Sequence, residues 1–298
     1  MVRKNYFELI QNMEFDAEKE FDIISKFISE KENYSNILVR PNTFSLRQFF
    51  NTNFASYLHQ RNIQFTSYDE VEKYFKERLD GLDSLFTYIE FIVDLYSYLS
   101  KRRNVSDLIL YPTTSLESTY SEVKKRIDYS LNATNHELLE LANGRRIIVE
   151  KNVYASEVSQ IISETSVQDA MKVLEYNHFA NKGNVQRKRE ILFSLALYLE
   201  PRRAELNSYE GLKDVLKVNN KKIIAVEKLF EMYNHLSVRH GKPEEQYNDN
   251  CSDEELEQWY DDIYTSTLFV ILSLEEARIL PKLAQARETW AEQKKQFQ

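Results

Sequence analysis

The residue types suited to acid–base and phosphate chemistry gather once in this sequence, in YNHLSVRHGKPEEQYND, residues 233–249. His240 has an imidazole that titrates near neutrality, and Arg239 offers planar paired donors to a phosphoryl group. Asn234 has the reach to orient either one. Together they fit removal or delivery of a proton by His240 while Arg239 stabilises developing negative charge. A second reading costs nothing in chemistry: a His at a helix C-terminus donates to the last carbonyls and gains from the helix dipole.

The elements around the cluster decide how it is presented. Val226, Leu229, Phe230, Tyr233 and Leu236 recur at helical spacing, which predicts a helix over 222–240. Seven residues beyond Tyr233 stands His240, so it shares the core side, with Arg239 about 100° around the axis. Gly241 and Pro243 supply the stop. Seven carboxylates follow closely: Glu244, Glu245, Asp249, Asp253, Glu254, Glu255 and Glu257. Unpaired, they would repel a polyanion, so they either fold away or pair with Arg239 and with cations such as Arg202 and Arg203.

Other cations come in short runs, among them Arg187-Lys188-Arg189 and Arg202-Arg203. They make an RNA-binding surface if the fold converges them and separate solvated faces if it does not. Neither a metal nor a cofactor is expected. His136-Glu137-Leu138-Leu139-Glu140 has half the spacing of a zinc hydrolase motif, but a Glu occupies the place of the second His. The single cysteine, Cys251, excludes both a disulfide framework and a multi-cysteine zinc site. Phosphate loops, dinucleotide fingerprints and nucleophile elbows are missing from the sequence.

Periodicity and composition predict a mostly α, multi-helix protein of two helical lobes, 1–150 and 151–298. Five Gly and five Pro in 298 residues are few for a chain rich in tight turns. In the first lobe, Ser67 and Glu70 form a capping box for a helix ending near Leu79. The apolar run 79–103 is a central buried helix, and 104–119 is a polar connection. Residues 122–131 and 135–143 are expected as helices, the latter capped by Gly144, with RRIIVEKN as the one candidate strand. In the second lobe helical pattern covers 155–179, 186–200, 222–240 and 254–280. Pro201 must end, kink or restart the chain after the 186–200 helix.

The net charge of −8 provides no global basic field for nucleic acid. No run of about 18 apolar residues marks a membrane span, and the start has no secretory pattern, so no membrane partner and a cytoplasmic location are expected.

The sequence KREILFSLALYLEPRRAEL, then a helix ending NHLSVRHG, then EELEQWYDDIYTSTLFVILSLEEA, resembles the C-terminal domain of abortive-infection-type proteins related to the HEPN superfamily, over roughly 185–280. The resemblance implies a HEPN-like helical bundle, a homodimer, and a prokaryotic defence or toxin-like role in which RNA is bound or cut without a metal. It would make His240 and Arg239 catalytic, with Asn234 orienting them. The family's Arg precedes its His by four to six residues, whereas here Asn234 stands six before His240 and Arg239 is adjacent. That departure motivates the alternative expectation, a catalytically silent helical module for dimerisation or for binding a protein partner.

Overall fold

The computed structural model describes residues 15–30, 32–33, 43–61, 64–102, 113–141, 143–208, 210–216, 218–220, 222–235 and 251–296. The chain divides into two compact units, Met1–Glu150 and Lys151–Gln298, and is mostly α-helical. No described helix is long and apolar enough to cross a membrane.

In the first unit, α1 (Ala17–Ser29) starts at Asp16, whose carboxylate accepts the Lys19 amide at 3.0 Å. Its residues Phe21, Ile24 and Ile28 are three and four apart, so they share one buried face. A short antiparallel ribbon, β1 (Glu32–Asn33) with β2 (Thr43–Phe44), precedes α2 (Leu46–Arg61). Then come α3 (Tyr68–Arg78), α4 (Gly81–Arg102) and α5 (Thr113–Ala133). Ser67 caps α3 through its hydroxyl, which accepts the Glu70 amide at 3.2 Å. The Glu70 carboxylate reaches back one residue further than a capping box requires, accepting both the amide and the hydroxyl of Thr66 at 2.7 Å.

The core of this unit is aromatic. Phe49, Phe50 and Phe54 of α2, Tyr68 of α3 and Phe86 and Tyr88 of α4 are all buried, with Phe50 against Tyr68 and Phe54 against Phe91 of α4. Phe21 stacks on Tyr88 with ring centroids 4.1 Å apart. Burying tyrosines forces their hydroxyls to find partners. The Tyr68 and Tyr88 hydroxyls lie 2.6 Å apart and both reach the Glu72 carboxylate, which pairs in turn with Arg47. Burial pushes both phenols above their ordinary pKa.

Residues 113–119, expected as connection, are the first turns of α5. The expected helix over 135–143 is instead β3 (His136–Glu140), antiparallel to β4 (Arg146–Glu150), with Leu138 opposite Ile148. The β-branched run Ile147-Ile148-Val149 is buried, and a strand with one edge unpaired would leave backbone groups without partners. The segment beside it supplies the ladder, and the Ile148 amide is hydrogen-bonded by Glu90 of α4 at 2.6 Å. Gly144 does adopt the left-handed region, φ +77, but it turns a hairpin and caps no helix.

In the second unit, α6 (Val153–Ser163) and α7 (Val167–Glu175) divide the expected helical stretch 155–179, because Ser166 caps a new helix by accepting the Asp169 amide. A single 3-10 turn, Phe179–Asn181, leads to α8 (Val185–Leu199), capped by Asn184. The stripe Ile191, Leu192, Leu195, Ala196 and Leu199 is buried. Pro201 sits in a 3-10 turn, Glu200–Arg202, and the chain restarts as α9 (Arg203–Ser208) and α10 (Glu210–Val215). A ribbon of β5 (Val218–Asn219) and β6 (Lys222–Ile223) then feeds α11 (Ile224–His235), so the helix expected from 222 begins after a strand. The final element, α12 (Asp253–Gln296), has 44 residues and runs through Pro281, well past the expected end at 280. The core of this unit gathers Val158, Ile162, Val173, Leu195, Phe230 and Ile263 from five helices.

Candidate functional site

Of the candidate residues Asn234 belongs to α11, whose face Val226, Leu229, Phe230 and Tyr233 is buried. Tyr233 shares a short hydrogen bond with the Thr267 hydroxyl of α12, and burial raises its pKa well above the ordinary phenol value. Asn234 follows on the exposed side of the last turn of α11. Arg239 and His240 lie outside the described residues, as do Glu244, Glu245 and Asp249.

The five cations expected to bind RNA are placed at the two ends of α8. At its start, Arg187 pairs with Glu175 of α7 and with Glu190 at 3.0 Å. Lys188 is only 7% exposed and stands 2.7 Å from both Glu257 and Asp261 of α12. Arg189 is half-buried and lines a shallow groove with Asp253 and Tyr260. Beyond the far end of α8, Arg203 donates twice to Glu227, at 3.3 and 2.8 Å. Arg202 donates to the Tyr198 carbonyl and lies 3.9 Å over that residue's ring.

These pairings shape the local electrostatics. Burial pushes the Glu175 carboxyl up, but hydrogen bonds from Lys172 and Arg187 outweigh it and leave its pKa below the usual range. Glu257 behaves alike, lowered by Lys188 and by the Gly183 amide against the upward push of burial. The Glu227 carboxyl falls to about 2, chiefly through Arg203, with burial opposing and Asn207 and Lys222 assisting. The positive charge of Arg187, Lys188 and Arg203 is thus neutralised inside the unit. The Tyr176 and Tyr264 rings, stacked at 4.0 Å, tie α7 to α12 beside Lys188, with the Tyr176 hydroxyl on Asp261 at 2.8 Å.

His136 and Glu140 are the first and last residues of β3. His136 Nδ1 lies 2.6 Å from the Thr134 carbonyl oxygen, with its ring against Phe86. Among the described residues, no group of three or more His, Cys, Asp or Glu is placed to hold a metal ion.

A feature that sequence reasoning missed runs along α12. Its first half is bound into the unit down to Ala277, 1% exposed, whereas Ile279, Leu280, Leu283 and Trp290 are 37, 43, 58 and 69% exposed. Pro281 marks the passage between the two halves. Beside the bound half, α6 and α12 enclose a groove of about 520 Å³ with an apolar floor of Ile161, Phe269, Leu272 and Ile279. Its rim carries Glu157, Glu164, Glu275 and Glu276. A smaller apolar groove of about 280 Å³, between α11 and α12, exposes Trp259 and shares Phe269. Large apolar side chains presented in line on one helix are what a binding surface requires. Their heptad-like spacing is the available signal, and it lies past the end expected for this helix at 280. Comparison of the chain with family models, curated proteins and solved structures found no match.

Proposed function

We propose that this chain is a helical interaction protein whose second unit, a HEPN-like bundle, works by association along α12. The observation that carries this reading is the line of exposed apolar residues from Ile279 to Trp290 on a helix that has left its own core. Charge points the same way, because Arg187, Lys188 and Arg203 are held by carboxylates of the same unit. A photo-cross-linking phenylalanine analogue placed at Leu283 tests it in cells. A discrete adduct from position 283, and none from the exposed Lys73, is expected; equal labelling from both, or none from either, contradicts the reading.

A second reading is metal-independent cleavage of RNA by a defence-type protein, with His240, Arg239 and Asn234 as the acting residues. The supporting observation is that Asn234 is exposed at the end of a helix packed on the final long helix, the arrangement that the HEPN-like resemblance implies. The test is cleavage of diverse RNAs by purified protein in EDTA, wild type beside Arg239→Ala and His240→Ala. This reading expects cleavage by wild type and its loss in both folded variants; equal cleavage by all three contradicts it.

A further inference from the structure

We propose that the distal half of α12 and the acid-rimmed groove beside its bound half are the two complementary parts of one interface, occupied by a second copy of this chain. This deepens the association reading and rests on it.

Leu272, Ile279, Leu283, Ala286 and Trp290 are separated by seven, four, three and four residues, the repeat by which two helices bury a shared seam. The helix spans about 66 Å, of which about 28 Å lies beyond Ala277, long enough to cover another helix for several turns. Beyond Ala277, no described side chain of α12 is buried.

Charge selects the partner and its direction. The groove is lined by four carboxylates, Glu157, Glu164, Glu275 and Glu276, of which Glu275 pairs with Arg278 of its own helix at 3.4 Å. Beyond Arg278, which is engaged by Glu275, the distal half to Trp290 carries two cations, Lys282 and Arg287, against the single carboxylate Glu288. A parallel pair would set acidic groove beside acidic groove. An antiparallel pair lays each cationic half on the other copy's acidic groove.

In that register Ile279 faces Leu283 of the second copy, Leu272 faces Trp290, and the two-fold axis passes beside Pro281. Each copy gives and receives the same contacts, so the arrangement closes at two. It covers Ile279, Leu283 and Trp290, and the groove floor of Phe269 and Leu272, in one step. Another protein bearing a basic amphipathic helix would satisfy the groove but would leave the distal half of α12 uncovered.

Charge reversal tests the proposal on the full chain. One variant combines Lys282→Glu with Arg287→Glu; the other combines Glu164→Lys with Glu276→Lys. Sedimentation should show wild type as a dimer, each variant alone dissociating on the order of tenfold or more readily, and an equimolar mixture of the two recovering the dimer. Recovery on mixing cannot come from misfolded variants. A dimer unaffected by either reversal, or two weakened variants that fail to recover when mixed, would overturn the proposal. So would a monomeric wild type: with a discrete cross-link from position 283 to a different protein, only the second-copy assignment falls. With no adduct at all, the association reading falls too.

Discussion

At the scale of single residues, Lys188 shows how an apparently cationic surface is consumed by the fold. Its charge is nearly buried between Glu257 and Asp261, 69 and 73 positions away in sequence, and its ammonium lies 5.4 Å from the Tyr176 ring. Removing it leaves two carboxylates facing each other with no cation between them, each keeping one neutral donor, the Gly183 amide on Glu257 and the Tyr176 hydroxyl on Asp261. Asp261 is half exposed, which moderates the penalty for breaking a buried pair. Lys188→Ala is therefore expected to destabilise the second unit by about 2 kcal/mol, measured by chemical denaturation, and Lys188→Arg by less. Glu227 makes a pH prediction. Its pKa is depressed from an ordinary 4.5 to about 2, so the unfolded chain binds the proton more readily. Its stabilising contribution is fully present above about 4.5 and is lost as pH falls toward 2. Glu227→Gln should flatten the acid limb of the stability profile across that window, while wild type loses stability steadily through it.

At the scale of elements, what the sequence revealed follows how local the cause was. Ser67 was legible as a helix start because a cap acts through amides one turn away, and the buried stripe of α8 because helical spacing is intrinsic to the segment. β3 was not, because His136–Glu140 is a strand only by virtue of the apolar β4 beside it. Gly144 has the left-handed backbone that its residue type suggests, but in a hairpin turn and not at a helix end. Gly144→Ala has no close steric neighbour, since the nearest atom to an added Cβ is Lys101 Nζ at 4.0 Å, so its cost is that of backbone strain alone. A loss of about 1 kcal/mol in urea unfolding is expected, with Gly144→Asn losing less. The last helix continues past its expected end at 280 even though a proline, Pro281, follows. The proline removes one donor, the amide that would bind the Ala277 carbonyl, but Leu, Lys, Ala, Gln and Arg around it favour helix strongly enough to carry α12 onward. The candidate catalytic residues were legible as types, yet Arg239 and His240 lie outside the described residues, and only Asn234 has a place in the fold.

At the scale of the whole molecule, two units with well-filled cores leave one element incompletely used. The first unit closes its aromatic core around a paired Glu72 and Arg47, and the second closes its core with the first half of α12. Burying a leucine of the Leu283 kind contributes about 2 kcal/mol, so a helix that holds Leu283 and Trp290 in solvent forgoes a contribution that association would recover. In a two-fold arrangement each such side chain counts twice. Sedimentation of the full chain over a wide concentration range, wild type beside Leu283→Glu, reads that contribution directly. Wild type is expected as a dimer and Leu283→Glu as a folded monomer at the same concentration; the same species in both samples would rule out association along α12.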